Sequence, residues 1–305
     1  MAEPTLCSFL TKVLCAHGGR MFLRDLRVHV ELSEARLRAV LRAAGPERFL
    51  LQDVAEPEPE GLPPRDTAEP GRHDGQRGGG GGVACRVVAV SAARLCARYQ
   101  RSECRACDQL HLCRRLMQGK CPHRDCWSTC ALSHDIHTPG NIQVLKNYGL
   151  FGLNEAQLQT LLMQNDPSLF PEVCLLYNRG EALYGYCQLK DKCHKVHVCR
   201  AFIRGQCKQK SCKRSHQLVE ATSLEVIEDQ GLNLPSVVNF QIIASYKHAV
   251  LHNTLEGAAS SISAAAPDQG PGRQGTRGAG VAQVSLPVST PAAKERGPVN
   301  PKGRR

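Results

Sequence analysis

The chain has 305 residues, enough for about two domains, and a formal net charge of +11. Only 5% of its residues are aromatic, and no apolar run approaches the roughly 20 residues that a membrane-spanning helix needs. Composition therefore argues against a membrane protein, and the charge favours an anionic partner.

The N-terminal segment has the pattern of a winged-helix-like module. Apolar residues recur at helical spacing from Leu6 to Leu14, a short segment around Leu23–Val30 follows, and Ser33 caps a second amphipathic helix. Phe49–Leu51 is predicted to be a strand that pairs with the apolar, β-branched run Val83–Val90. The Pro-, Glu- and Gly-rich residues between these strands are predicted to form a disordered loop at the tip of the wing.

Cysteines dominate the middle of the chain, where twelve of the sixteen fall into four sets that end in Cys-x3-His. Three thiolates and one imidazole satisfy the tetrahedral preference of Zn²⁺ and leave no position for a catalytic water. We therefore predict four structural zinc ions, each supplying on the order of 10–16 kcal/mol to fold loops too short to bury a core. The four sets are Cys96/Cys104/Cys107/His111, Cys113/Cys121/Cys130/His134, Cys174/Cys187/Cys193/His197 and Cys199/Cys207/Cys212/His216.

The four sets form two tandem pairs. A single residue separates the ligands of successive fingers in His111–Cys113 and again in His197–Cys199, which indicates an internal duplication. In finger two, both Cys121 and Cys126 are candidates for the second ligand. The spacing from the first cysteine to Cys121 repeats in finger four and favours Cys121.

Two other classes of cysteine-rich protein fit the pattern less well. A disulfide framework gives histidine no role at a fixed offset, and no apolar signal segment follows Met1, so we expect reduced thiols in the cytosol or nucleus. A RING-type ubiquitin ligase interleaves the ligands of two zinc ions. Here each set is consecutive and closes on its own histidine.

The segments between and after the finger pairs are predicted to be helical. Asn141–Leu150 is one helix, and Asn154 caps another at Glu155–Gln164. Leu218–Gln230 and Pro235–His252 follow finger four as two further helices. Four residues of the last helix are predicted to face the core: Val238, Ile242, Ile243 and Tyr246.

Together the segments predict a mainly α chain with small irregular zinc modules. A winged-helix-like N-terminal module is followed by four CCCH zinc fingers in two tandem pairs, which a helical insert joins. The predicted divisions are 1–53 plus 83–93 (winged-helix-like module), 54–82 (disordered loop), 94–135 (fingers one and two), 136–173 (helical insert), 174–217 (fingers three and four), 218–253 (C-terminal helices) and 254–305 (disordered basic tail).

Positive charge coincides with the fingers. Between Arg94 and His216 there are 19 Lys and Arg but nine Asp and Glu. A basic face on a metal-stabilised module is typical of nucleic-acid binding. No paired carboxylates and no nucleophile with an adjacent base stand out, so we expect a protein that is not an enzyme.

Four runs carry a specific resemblance to one family: Phe9–Met21, Ala44–Phe49, Cys107–Cys113 and Val144–Asn147. They resemble the RNA-binding N-terminal region of the zinc-finger antiviral protein family, with a match over roughly residues 1–250. The chain is most similar to short members of that family, which lack the WWE and poly(ADP-ribose)-polymerase-like regions.

The resemblance implies an L-shaped, mostly helical domain that binds single-stranded RNA along its basic face, with a CpG step in a pocket on finger two. It also implies RNA-decay or antiviral cofactor proteins as partners, a cytoplasmic location with a nuclear fraction as the alternative, and neither a membrane nor a small-molecule substrate. Residues that match basic RNA contacts of the family are Arg98, Arg114, Lys120, Lys195, Arg204 and Arg214.

The pocket for the bases is the part of the family pattern that this chain does not keep. Ala131 and Leu132 stand where the family has a Lys-Tyr pair, Ser168 replaces a phenylalanine, and Leu175 replaces a lysine. We therefore expect RNA binding with weakened CpG selectivity. The alternative is a protein-interaction adaptor that has lost most sequence-specific RNA readout.

Overall fold

Three helices and three strands form the N-terminal module, in a computed structural model that describes residues 4–55, 83–123, 130–179, 185–189 and 192–263. Helix α3 begins where predicted, because the Ser33 side chain accepts a hydrogen bond from the backbone N–H of Arg36 at 3.3 Å. The elements are α1 (Pro4–Ala16), β1 (Arg20–Phe22), α2 (Leu23–Arg27), α3 (Glu34–Ala44), β2 (Phe49–Ala55) and β3 (Val83–Ala89).

The three strands form an antiparallel sheet in the order β1-β3-β2. The predicted pairing of Phe49–Leu51 with Val83–Val90 is confirmed. Strand β2 continues through Ala55, two residues into the segment 54–82 that was predicted to be a disordered loop, because its last residues pair with the start of β3. Residues 56–82 lie outside the described part of the chain.

The remaining described elements are helices, and no described helix has both the length and the apolar character to cross a membrane. The two predicted insert helices are present, and Asn154 forms a capping box with Gln157. The helices are α4 (Arg114–Met117), α5 (Pro139–Asn147), α6 (Glu155–Asn165), α7 (Leu175–Asn178), α8 (Arg200–Ile203), α9 (Ala221–Asp229) and α10 (Leu234–Ser263).

Helix α10 differs from its prediction in both its length and its buried face. It runs to Ser263, past the predicted start of the tail at 254, because the Ala- and Ser-rich sequence tolerates a helix; residues 264–305 lie outside the described chain. Its buried apolar residues are Val237, Phe240, Ile243 and Ala244, whereas Tyr246 is 39% exposed. The observed buried face therefore differs from the predicted one by a rotation of about one residue around the helix axis. Of the four residues predicted to face the core, only Ile243 is buried.

Two of the four hydrophobic clusters among the described residues are large. The first combines α1, α2, α3 and one face of the sheet with fingers one and two and the insert helices. The second combines finger four and Val196 of finger three with α9 and α10, and includes Phe170 stacked on Phe240 with ring centroids 5.0 Å apart. The buried residues around the metal ligands of finger three form a small cluster of their own. Each finger pair therefore shares a core with helices outside it.

The sheet is buried on both faces, as the alternation of side chains along a strand allows. Phe49 and Val87 point into the first core, while Leu50 and Val88 pack against Ile243 of α10. This second contact attaches the C-terminal helix directly to the N-terminal module.

A buried polar network joins three parts of the chain at the same place. The side-chain amide of Gln164 donates to the backbone carbonyl of Ala89 at 2.6 Å and accepts from Asn239 at 2.8 Å. Asn239 also donates to the carbonyl of Gly18 at 2.8 Å. Gly19 adopts a φ of +85°, a left-handed conformation that favours glycine. A Cβ atom at this position would also overlap the side-chain amide of Gln164, so the turn needs a glycine.

We expect Gln164→Met to lower the free energy of unfolding by on the order of 3 kcal/mol, because a similar volume remains while several buried polar groups lose a partner. Urea denaturation of the zinc-loaded chain measures this. The control Gln143→Met lies on the exposed face of α5 and is expected to change stability by less than about 0.5 kcal/mol. Equal effects of the two substitutions would show that the network does not join these parts.

Candidate metal centres and nucleic-acid interface

The structure brings each of the four predicted Cys3His sets together. Within every set, the three sulphur atoms and one histidine nitrogen lie within 4.8 Å of one another. Cys121 lies with the other three ligands of finger two, as predicted. The alternative ligand, Cys126, lies outside the described residues. None of the described cysteines forms a disulfide.

The distances within the sets fit zinc. Around an ion with Zn–S bonds of about 2.3 Å, tetrahedral geometry puts neighbouring sulphurs about 3.8 Å apart and a sulphur about 3.6 Å from an imidazole nitrogen. The Sγ–Sγ distance is 3.7 Å between Cys174 and Cys187 and 4.0 Å between Cys113 and Cys121. The Sγ of Cys121 lies 3.5 Å from Nε2 of His134. The chain accordingly holds four structural zinc ions.

Burial makes these ligands dependent on a cation. It raises the pKa of the Cys207 thiol to about 12 and that of Cys113 to about 11, so the thiolate forms require a nearby positive charge at neutral pH. Burial also lowers the pKa of His216 to about 4, with His248 and His252 adding to the effect. His216 is therefore neutral, which is the form that binds metal.

In each finger pair, a tyrosine contacts both fingers. The ring of Tyr99 stacks on His111 of its own finger at 4.4 Å, and its hydroxyl accepts a hydrogen bond from the backbone N–H of Ser133 in the next finger at 2.8 Å. Tyr177 repeats both contacts, on His197 at 5.2 Å and from Ser215 at 2.9 Å. The predicted duplication is thus present in the contacts between fingers as well as in the ligand spacing.

The residue after each tyrosine clamps the following finger. Gln100 donates to the carbonyl of Leu112 at 2.7 Å and accepts from the N–H of Arg114 at 3.0 Å. Asn178 makes the equivalent bonds to the carbonyl of Val198 and from the N–H of Arg200. These amides hold the first turn of α4 and of α8 in the same way.

The short helices of fingers two and four each begin with an arginine that directly follows the first cysteine of the finger. Gly119 follows α4 and Gly205 follows α8, with φ of +70° and +66°. This left-handed conformation suits glycine and turns the chain sharply back towards the metal. Arg114 and Arg200 begin the two helices at equivalent positions.

Three adjoining cavities form a groove from finger two to finger four, which we call the finger groove. Their volumes are about 600, 440 and 440 Å³, and exposed Leu175 lines all three. Glu172 is the sole acidic residue among the described residues that line them. The basic residues that line the groove are Arg114, Lys120, Arg179, Lys192, Lys195, Arg200, Arg204 and Arg214.

The basic residues of the finger groove are close enough to affect one another. Burial and the charge of Arg114 lower the pKa of Lys120. The Nε atom of Arg114 is buried, and no residue that the structure describes accepts a hydrogen bond from it. Lys195 pairs with Glu172 at 2.8 Å, and this hydrogen bond lowers the pKa of Glu172. A single carboxylate therefore offsets little of the positive charge.

Five of the six residues predicted to contact RNA line the finger groove, and Arg98 does not. Arg98 lies on finger one, where its guanidinium donates to the carbonyl of Glu103 at 3.3 Å. Sequence reasoning missed Arg200, although it follows Cys199 as Arg114 follows Cys113. It also missed Tyr99 and Tyr177, for which the repeated Cys-x2-Tyr spacing was an available signal.

The four residues that depart from the family pattern occupy different surroundings. Leu132 packs against the first core, and Ala131 is exposed. Ser168 lines the middle cavity beside Leu175, which is 46% exposed. Phe170 is the one Phe, Tyr or Trp among the described residues lining the groove, and it is 4% exposed.

Comparison with known proteins gives two matching family models and several relatives. The models are described as the Zap helix-turn-helix N-terminal domain, at residues 5–63, and the PARP12-like CCCH zinc finger tandem, at residues 94–141. The chain is 65% identical to zinc finger CCCH-type antiviral protein 1-like of Homo sapiens over 298 residues, covering 98% of both.

Two longer relatives match over part of their length. Zinc finger CCCH-type antiviral protein 1 of Rattus norvegicus is 38% identical over 82% of this chain and 29% of its own. Protein mono-ADP-ribosyltransferase PARP12 of Homo sapiens is 34% identical over 82% of this chain and 33% of its own.

We expect Tyr177→Phe to lower the free energy of unfolding by about 1–3 kcal/mol, because the backbone N–H of Ser215 loses its acceptor. Four zinc ions should remain, since no ligand changes. Thermal unfolding combined with native mass spectrometry measures both quantities. Tyr186→Phe serves as the matched control, because Tyr186 is 46% exposed; a loss of stability no larger than in this control would contradict the role of the Tyr177 hydroxyl.

Proposed function

The chain belongs to the zinc finger CCCH-type antiviral protein family, and we propose that it is a non-catalytic, zinc-dependent protein that binds single-stranded RNA in the finger groove. The family relation supports an RNA-binding, antiviral role. The cytoplasmic location of the protein stays a prediction from the sequence resemblance. The zinc ions are structural in this proposal and take no part in chemistry, because each has four protein ligands.

The charge of the finger groove is the observation that carries the proposal. Its described lining places eight basic residues against one carboxylate over a continuous surface. A phosphate backbone is the polyanion that such a surface attracts, and it binds by releasing condensed counterions. The open width of three adjoining cavities suits an extended single strand.

Phosphate contacts, rather than base contacts, dominate binding in this proposal. Aromatic stacking is worth about 1–3 kcal/mol per base, but the aromatic residue that lines the described groove, Phe170, is buried against Phe240. Leu175 offers an apolar surface without hydrogen-bonding groups. We therefore infer that CpG selectivity is weak, and that recruited RNA-decay or antiviral factors act on the bound RNA.

A protein-interaction adaptor is the second candidate, and exposed apolar residues in the groove favour it. Leu175 is 46% exposed and Leu189 is 51% exposed, and both line the largest cavity. A peptide with an apolar side chain fits these positions. The dependence of binding on salt separates the two candidates, because only phosphate neutralisation gives a steep fall.

Replacing Arg114 and Arg204 together by Gln should weaken binding of a single-stranded RNA roughly 10- to 30-fold at about 0.1 M salt. The slope of log K against log salt should become shallower by about 1.4, since each phosphate contact contributes about 0.7. Filter binding across a salt series measures both.

The control for this experiment removes the same charge elsewhere. Arg36 and Arg42 lie exposed on α3, outside the finger groove. Their joint replacement by Gln should leave the slope unchanged. If both double variants lost the same amount of RNA affinity, binding would depend on the net charge of the protein and not on the finger groove.

Two RNAs of equal length and base composition, one rich in CpG steps and one without them, should bind with affinities within about threefold of each other. The reason is that a difference of a decade or more would need a base to stack on an exposed Phe, Tyr or Trp, and the described lining of the groove has none of these exposed. Competition filter binding measures the ratio. A preference above tenfold for the CpG-rich RNA would contradict the inferred loss of selectivity.

A further inference from the structure

A cluster of arginines lies at the N-terminal sheet, and none of them is a metal ligand or lines the finger groove. Strand pairing places Arg20 opposite Val88 and Phe22 opposite Arg86. Directly opposed residues of antiparallel strands project from the same face of the sheet. Arg20, Phe22 and Arg86 therefore share the face on which Val88 packs against α10.

An aromatic ring orders two of the guanidinium groups. The Cζ atoms of Arg24 and Arg86 lie 5.3 and 5.5 Å from the centroid of the Phe22 ring. Cation–π attraction at this distance restrains long side chains that would otherwise move freely. We call these four residues, Arg20, Phe22, Arg24 and Arg86, the arginine patch.

Two members of the arginine patch carry charge that no acid offsets. Within the part of the chain that the structure describes, Arg20 and Arg86 have no ion-pair partner, whereas Arg24 pairs with Asp25 at 3.7 Å. The Nη1 atom of Arg20 is buried and has no hydrogen-bond acceptor among the described residues.

The proximity of the two arginines is unfavourable in itself. Burial, followed by the charge of Arg86, lowers the pKa of Arg20. An unsatisfied buried donor and two adjacent like charges both destabilise a folded chain. Such an arrangement is relieved when an anion with several acceptor oxygens binds between the guanidinium groups.

We propose that the arginine patch is a phosphate-binding site of the winged-helix-like module. A phosphate group matches it better than a carboxylate, because it carries more negative charge and enough oxygens for bidentate contacts with more than one guanidinium. The phosphate belongs to a nucleic-acid backbone or to a small phosphorylated molecule. The site is independent of the finger groove, so its failure leaves the proposed function intact.

The test compares the thermal midpoint of the zinc-loaded full chain in inorganic phosphate and in chloride at equal ionic strength. Phosphate should raise the midpoint of the unmodified chain by roughly 2–4 °C more than it raises that of Arg20→Gln/Arg86→Gln. In chloride, the double variant should be at least as stable as the unmodified chain, because the repulsion has been removed. A purely structural role of the arginines predicts a less stable variant instead.

Two further variants separate specific phosphate binding from net charge and from misfolding. Arg36→Gln/Arg42→Gln removes the same charge from the same module and should keep the full response to phosphate. Arg20→Lys/Arg86→Lys keeps the charges, which guards against misfolding, but loses the bidentate geometry and should weaken phosphate binding by about fivefold. An equal rise in all four proteins would overturn the proposal, because phosphate stabilises any folded chain to some extent by exclusion from its surface.

Binding of a single-stranded RNA distinguishes the two sources of the phosphate. If the backbone supplies it, Arg20→Gln/Arg86→Gln should weaken RNA binding about tenfold more than Arg36→Gln/Arg42→Gln. If a small phosphorylated molecule supplies it, the two variants should bind RNA alike while only the first loses the response to inorganic phosphate.

Discussion

Closure of each Cys3His set around a zinc ion is the constraint on which the rest of the structure depends. The fingers have short helices of one turn and long irregular segments, so their ligands converge without a core of their own. Burial raises the pKa of thiols such as Cys207, and the cation reverses that preference by stabilising the thiolate. Metal binding and folding are therefore one event for these segments.

The zinc centres determine more than the shape of single fingers. The tyrosines that stack on ligand histidines also accept hydrogen bonds from the next finger, so the position of one metal fixes the start of the neighbouring turn. The hydrophobic cores then join each pair to helices outside it, and Gln164 and Asn239 connect those helices to the sheet. For the RNA binding proposed above, a groove already built on so many linked elements would lower the ordering cost.

Much of this arrangement was predictable, and the exceptions have physical reasons. The ligand spacing identified all four metal sets, and the caps Ser33 and Asn154 located helix starts, because both signals are local. Strand β1 was not predicted, because its three residues are too few to show an alternation of apolar and polar side chains. The buried face of α10 was misjudged because Phe240 packs on Phe170, a partner distant in sequence. Arg200 could have been found by aligning the duplicated halves, whereas the arginine patch requires the strand register.

The most direct test of this account measures two properties of the reduced full chain: its zinc content, and the protection of its backbone amides from hydrogen exchange with and without metal. Native mass spectrometry should find four zinc ions per chain. After chelation, the backbone amides of the finger pairs should lose their protection from hydrogen exchange, and those of the N-terminal module should keep it, because its three strands pair with one another and not with the fingers. Fewer than four ions, or unchanged protection of the fingers without metal, would contradict the claim that zinc closure holds them folded.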